Sequence, residues 1–512
     1  MFKYNKLVLI LFSFISGAIS TLSFAPYSLW FCSFISIFIL LAILDKSKTN
    51  KNAFSIGFFW GLGQFYTGVS WIWVSMHLYG GMSWYINIFL ISALIFYLSV
   101  YPALFGYFYN KLKKRNYLNY LVIAPLLWIL QEQLRGHLFT GFPWLSLGYS
   151  QINSPISSLA PIIGVTGLSY LVIFISGFLL LFSKTRNLKV WVTIIPIVCI
   201  TIVFYNKVWT TPKENKKFQV YLIQGDIKQS TKWDPDYISQ SIEKYINLTI
   251  DSIIKMKKQK SNHVPAIIIW PEAALSIPEN QISSTIKEIN SIGNKNNVVI
   301  LTGSIYSHNG KFYNSIIALG SKNQTNNNEY QRYMKHHLLP FGEYVPFSNL
   351  LRKLGPFFNL PMSDFTPGKY KQNNFNANGI IISADLCYEI LFPEQIRNNV
   401  NSDTDVLLTL SDDTWFGKSI GPSQHMQIAQ MRALELGKPL LRGTNSGITA
   451  VVNIHGKIEK RLPMFKTDIL QAEVMPYEGM TPYGKFGYLL TSVFILLNIF
   501  WGLIFSRFFN CK

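Results

Sequence analysis

The distribution of apolar residues constrains this chain more than any other feature of its sequence. Seven stretches with the length and character of membrane-crossing helices fall in the first 205 residues, at 7–24, 29–44, 53–74, 85–109, 117–131, 159–182 and 190–205. The fifth and seventh are short for a span of about 30 Å of hydrocarbon. An eighth stretch occupies 487–505, and the long segment in between has the polarity of an ordinary globular protein. The chain averages, 49% hydrophobic and 14% charged over 512 residues, therefore blend two regions suited to different solvents. The predicted organisation is seven transmembrane helices in 1–206, an extracytoplasmic domain in 207–483, and a last transmembrane helix with a cytoplasmic tail in 484–512.

A net charge of +20 raises the question of nucleic acid, but no basic stripe interleaved with aromatics and no recognition-helix pattern is present. The cations instead cluster in alternate short loops between apolar stretches. Lys3 and Lys6, then Lys46, Lys48 and Lys51, then Lys111, Lys113, Lys114 and Arg115, then Lys184, Arg186 and Lys189, and finally Arg507 and Lys512 mark one side of the membrane. The opposite short loops hold only Arg135. Positive residues stay on the cytoplasmic face, so both termini are expected there and the central domain across the membrane. A cleaved signal peptide at the first stretch is disfavoured, because it lacks a small-residue cleavage site and its removal spoils the alternation.

Within the middle segment, β-rich runs at 220–224, 266–270, 298–304, 379–386, 405–411, 447–454 and 469–474 alternate with helical patterns, including one at 422–436. This is an α/β rhythm. Three residues near the ends of β-runs carry possible chemistry. Glu272 follows Ile267–Trp270 and Pro271, at the position where α/β domains present active groups. Lys335 follows Tyr333 and Met334 and precedes Glu343; its ammonium is suited to stabilising an oxyanion or lowering a nearby thiol pKa. Cys387 ends the run Ser383-Ala-Asp-Leu, on a turn that exposes its side chain. Each has a bland alternative: a helix cap, a surface lysine, and a small buried hydrophobe. The other cysteines, Cys32, Cys199 and Cys511, lie in or beside apolar stretches, so no disulfide framework is expected. His336 and His337 are adjacent and share no face, so no metal site is expected, and no cofactor either.

The order Glu272, Lys335, Cys387 resembles the three motifs of the nitrilase, or carbon–nitrogen hydrolase, superfamily. That resemblance implies an αββα sandwich in which the cysteine attacks a carbonyl or nitrile, the glutamate is the base and the lysine steadies the tetrahedral intermediate. With apolar spans on both sides, the whole chain resembles the apolipoprotein N-acyltransferase family. The resemblance is carried by Arg135-Gly, Thr140–Leu145, Leu147–Gln151, Gln224-Gly-Asp-Ile, Lys232-Trp-Asp-Pro235, Asp413–Gly417, Gly421-Pro with Gln424-His425, and Arg432-Ala with Glu435. It implies that Trp233, Glu343, Tyr388 and Glu389 support the triad, and that acyl transfer passes from a phospholipid, phosphatidylethanolamine above all, to a diacylated apolipoprotein. It further implies a monomeric enzyme of a bacterial inner membrane with its catalytic domain in the periplasm. Asp226 and Asp412-Asp413 depart from the more usual asparagine and Asn-Asp, and neither is expected to touch the triad. The apolar stretch 341–365, with Phe347, Leu350, Leu351, Leu354, Phe357, Phe358, Leu360 and Met362, reads as a membrane-contacting lid. The rival readings are a membrane-tethered amidase or nitrilase, and a transporter or scaffold with a vestigial domain. The latter expects charge within the spans, where Glu132 is the clearest instance.

Overall fold

A computed structural model describes residues 6–113, 117–258, 265–320, 329–346, 348–351 and 364–508. Most of the apolar stretch read as a lid, including Phe347, Leu354, Phe357, Phe358, Leu360 and Met362, lies outside them. The chain divides into two compact units: a helical one formed by Met1–Trp73, Ser83–Lys207 and Lys485–Lys512, and a second formed by Val74–Met82 and Val208–Gly484.

In the helical unit every apolar stretch carries helix. The elements are α1 (Lys6–Thr21), α2 (Phe31–Lys46), α3 (Asn50–Val69), α4 (Trp84–Leu112), α5 (Ala124–His137), α6 (Ala160–Thr185) and α7 (Ile195–Val203), followed at the end of the chain by Tyr488–Phe508. Among the described residues two helical segments, Trp84–Leu112 and Pro155–Thr185, are both long and apolar enough by themselves to cross a membrane. Helices that are apolar all round gain little from burying carbon against carbon in lipid, so close backbone approach and buried polar pairs hold them together. A Cβ added at Gly17 in α1 would meet Trp60 O of α3 at 1.9 Å, and one at Gly57 in α3 would meet Pro102 O of α4 at 2.1 Å. Buried hydroxyls finish the contacts: Ser13 Oγ donates to Ile56 O at 2.7 Å, and Trp60 Nε1 donates to Ser36 Oγ at 3.0 Å.

Glu132 and Arg135, the charges on α5, are both buried. Glu132 accepts from Trp128 Nε1 at 2.9 Å and from the Leu147 backbone N–H at 3.0 Å. Arg135 donates to Phe142 O at 2.8 Å, to Trp144 O and to Ser146 Oγ at 3.2 Å. The pair thus pins the 140–147 loop, where Thr140 and Leu145 take positive φ. Its charge organises backbone, which is a different use from the ion pathway that a transporter would require.

The second unit is an αββα sandwich. The strands are β1 (Phe218–Gln224), β2 (Ala266–Ile269), β3 (Leu275–Pro278), β4 (Val298–His308), β5 (Lys311–Leu319), β6 (Arg332–Met334), β7 (Phe375–Ala377), β8 (Ile380–Leu386), β9 (Val406–Ser411), β10 (Leu440–Thr444), β11 (Ala450–Val452), β12 (Ile458–Arg461) and β13 (Asp468–Val474). One sheet has the order β13-β1-β2-β4-β5-β6 with β3 against β4, and the other β12-β11-β10-β9-β8-β7. The central strands run parallel. Their near-continuous apolar runs follow from burial on both faces. Val220 and Leu222 point with Ile267 and Ile269 into the core shared with Ile382, Leu386, Leu408 and Leu410 of the other sheet. Tyr221, Ile223, Ile268 and Trp270 point the opposite way, onto Ile238, Ile242 and Tyr245 of α8 (Pro235–Lys258) and Ile286 and Ile289 of α9 (Ser283–Asn296). Each fully buried aliphatic side chain contributes about 1.5–3 kcal/mol, so the period-two pattern leaves little freedom of register.

Several strands have no counterpart in the sequence reading, among them β5, β7 and β10. The β4–β5 hairpin closes through Asn309 and Gly310, both at positive φ, the geometry that an Asn-Gly pair favours.

Candidate active site

The carboxyl ends of β2, β8 and β9 and the end of β6 converge on one buried cluster. Glu272 stands just past β2, between Pro271 and an Ala273 held at φ +48°. Its Oε1 accepts from Lys335 Nζ at 3.2 Å and from Asn314 Nδ2 at 2.9 Å, and its Oε2 accepts from the Asp412 backbone N–H at 3.0 Å. Lys335 directly follows β6, and its N–H donates to Asn314 O on β5 at 2.8 Å. Only 2% exposed, it reaches Glu343 at 3.0 Å to Oε1 and 2.9 Å to Oε2 as well as Glu272. Burial opposes its charge, but the two carboxylates outweigh burial and hold the ammonium well above its ordinary pKa.

Cys387 opens the 3-10 turn Cys387–Leu391 at φ +51°, a strained conformation for a residue with a side chain. The residue is half-buried. Burial, and then the Glu272 carboxylate, push its thiol well above the ordinary cysteine value, while Lys335 pulls the other way. The expectation that a lysine lowers this thiol is therefore right about the sign of the lysine's effect and incomplete about the balance. Burial and the carboxylate together favour the thiol over the thiolate.

Of the residues expected to support the triad, Glu343 joins it directly through Lys335 and Asn314, whose Nδ2 donates to Glu343 Oε1 at 2.6 Å. Glu389 is fully buried and works through the backbone. Its Oε1 accepts from the N–H groups of His336 (2.8 Å) and His337 (3.0 Å) and from Gln395 Nε2 (2.6 Å). Its Oε2 accepts from Tyr333 OH and Leu386 N, each at 2.9 Å. One carboxylate thus ties the segment carrying Lys335 to the turn carrying Cys387. Tyr388 packs its ring against His337 and Phe392, with centroids 5.8 and 5.4 Å away. Trp233 is half-buried beside Lys232, whose ammonium lies 5.7 Å from its ring.

Sequence reasoning gave no role to several neighbours. Lys232 is buried and donates to Glu272 O at 3.0 Å and to Asp412 Oδ2 at 2.5 Å. The expectation that Asp412 does not touch the triad is thus corrected: its N–H binds Glu272, and its side chain anchors the lysine that holds Glu272's carbonyl. Behind the cysteine, Asp413 receives Arg442 Nη2 at 2.8 and 3.1 Å. Burial alone would raise this carboxyl, but Arg442 first and His425 second hold it well below the carboxylate range. Burial and Arg442 hold His425 below its ordinary value. His425 Nε2 donates to Cys387 O at 3.1 Å, while Nδ1 stands between Asp413 Oδ1 at 3.0 Å and Arg442 Nη2 at 2.9 Å. The segment Val74–Met82 also belongs to this unit: Ser75 Oγ donates to Trp415 O at 2.8 Å, and the Tyr79 and Trp415 rings meet edge to face. Asn314 and Arg442 had no motif to mark them, whereas Lys232, Asp413 and His425 lay in segments that carried the family resemblance.

Comparison with known proteins bears on both units. Residues 16–178 match the family model described as the apolipoprotein N-acyltransferase N-terminal domain, and residues 220–479 match that of carbon-nitrogen hydrolase. A protein of Photobacterium profundum is 46% identical over 477 residues, covering 92% of this chain and 90% of its own. One of Vibrio parahaemolyticus is 47% identical over 483 residues, with 92% of each chain covered. One of Haemophilus influenzae is 40% identical over 509 residues, covering 96% and 95%. All three bear the name apolipoprotein N-acyltransferase. Similarity at this level along almost the whole length, through both the helical unit and the sandwich, means that the chain belongs to the apolipoprotein N-acyltransferase family.

Proposed function

We propose that this enzyme acylates the N-terminal amine of diacylglyceryl-cysteine lipoproteins by passing a fatty acyl group from a phospholipid through a thioester on Cys387. The lipoprotein N-acyltransferase activity itself follows from family membership. The convergence of Glu272, Lys335 and Cys387 in one buried cluster supports the covalent route. In the first half-reaction Glu272 takes the thiol proton as sulfur attacks the donor ester carbonyl, and Lys335 faces the developing oxyanion. The C–O bond then breaks, and the proton held by Glu272 passes to the departing lysophospholipid oxygen. In the second half-reaction the lipoprotein amine attacks the thioester and gives its proton to Glu272. The C–S bond breaks, the amide is released, and the thiolate regains the proton.

Phosphatidylethanolamine is the proposed donor, and a single chain the working unit. The reading includes eight membrane spans, with both termini cytoplasmic and the sandwich of 207–483 in the periplasm; the alternating basic loops and the helix at each apolar stretch support it. Such spans suit two lipid-anchored substrates, which a soluble amidase would not need.

Incubation of the purified protein with a phospholipid carrying a labelled acyl chain is expected to yield a hydroxylamine-sensitive adduct on Cys387, absent from Cys387→Ala. A diacylated lipopeptide should then discharge the label as an amide. Equal labelling of Cys387→Ala removes the thioester, and discharge to water alone favours a tethered hydrolase.

A further inference from the structure

Ser411 is the last residue of β9, and the parallel register that pairs Leu410 with Leu386 brings it abreast of Cys387. It is completely buried. Its Oγ lies 3.3 Å from Cys387 Sγ and 2.6 Å from Asp413 Oδ1. A hydroxyl has one hydrogen, so it can serve only one of these acceptors at a time. Asp413 does not move to relieve the competition, because Arg442 grips both its oxygens. Cys387 is also held from behind, through the His425 bond to its carbonyl.

We infer that Ser411 is a further catalytic residue, a hydroxyl that switches between Asp413 and the Cys387 sulfur as the sulfur gains and loses charge. While the sulfur is a thiol or a thioester it is a weak acceptor, and the hydroxyl donates to the Asp413 carboxylate. When the sulfur becomes anionic, on losing its proton to Glu272 or on leaving the tetrahedral adduct, the hydroxyl rotates and donates to Sγ. No bond to hydrogen breaks in the switch; the O–H bond only changes its acceptor. The carboxylate at 2.6 Å keeps the thiolate from being stabilised permanently, and a permanently stabilised thiolate is a poorer nucleophile. The hydroxyl therefore helps at the two moments when charge sits on sulfur. This inference rests on Cys387 being the nucleophile.

The test measures iodoacetamide alkylation of Cys387 in the full-length protein in detergent between pH 6 and 10, read at the Cys387 peptide by mass spectrometry with glutathione alkylated in parallel as the reference. It needs no acyl transfer, so its failure is separable from failure of the thioester mechanism. Ser411→Ala should slow Cys387 alkylation about tenfold near pH 8 and displace its pH profile upward, the effect of losing one hydrogen bond to an anion. The glutathione rate should be the same in every sample. Ser411→Thr, which keeps the hydroxyl, should return the rate to within about threefold of wild type. Should Ser411→Ala fail to fold, Asp413→Asn supplies the second measurement: weakening the competing acceptor should speed alkylation several-fold. A Ser411→Ala profile superimposed on wild type, equal shifts in the alanine and threonine variants, or an unchanged or slower rate in Asp413→Asn would each overturn the inference.

Discussion

Two clusters of buried charge flank Cys387, and they are built differently. On one side Glu272, Lys335 and Glu343 share protonatable groups, with the carboxylates tied to side chains or single N–H groups. On the other, Asp413 is locked by an arginine that never loses its proton, and burial with Arg442 holds His425 below its ordinary value. The proposed mechanism moves a proton through the first cluster and leaves the second to hold geometry. The contrast teaches that burying charge beside a nucleophile serves chemistry only where a partner can change its protonation state. Elsewhere the same burial builds a fixed wall.

The largest test of that division falls on the first cluster. Glu272→Gln keeps the shape and removes the proton acceptor, and Lys335→Met removes the cation. Each should lower the rate of thioester formation by on the order of a thousandfold, about 4 kcal/mol of barrier, as followed by acyl-enzyme accumulation. A variant within tenfold of wild type would place proton transfer elsewhere. Glu389→Gln should show an intermediate effect of a different kind. Its amide must present N–H to some of the donors that the carboxylate accepts, so stability should fall by roughly 2–4 kcal/mol. Turnover should drop less than in Glu272→Gln, and a melting curve beside a rate assay separates the two. The smallest effect belongs to His425. Its folded pKa lies below the unfolded value near 6.5, so below that pH the unfolded chain binds more protons. The stability that its neutral form contributes is present above pH 6.5 and lost as pH falls toward the folded value. Thermal unfolding of wild type should show this acid-side decline, and His425→Gln should flatten it; an unaltered slope would sever His425 from the fixed wall.

Legibility in the sequence followed the range of the interactions. The α/β rhythm could be read because strand patterning is local, as in Val220 to Ile223, where successive side chains enter opposite cores, whereas the αββα sandwich came only from the family resemblance. Glu272, Lys335 and Cys387 could be picked out because each follows a β-run, and motif order made them specific. β5 escaped although Asn309-Gly310 marks its start, because polar Asn314 and Ser315 interrupt its apolar run; Asn314 is the residue that bridges two carboxylates. β10 escaped for the same reason, since Arg442 sits where a central strand should be apolar and repays that cost by holding Asp413.

In the helical unit the sequence alone determined where helices form, since apolar length and basic flanks are properties of neighbouring residues. It also determined that the polar middle would pack as alternating strands and helices. Only the tertiary structure decided that Ser411 lies abreast of Cys387, that Lys232 reaches Glu272's carbonyl, and that Glu389 binds the backbone of His336 and His337. Those contacts depend on strand order and parallel register, which join residues tens of positions apart. Spacing along the chain carries no record of which strand end will face which.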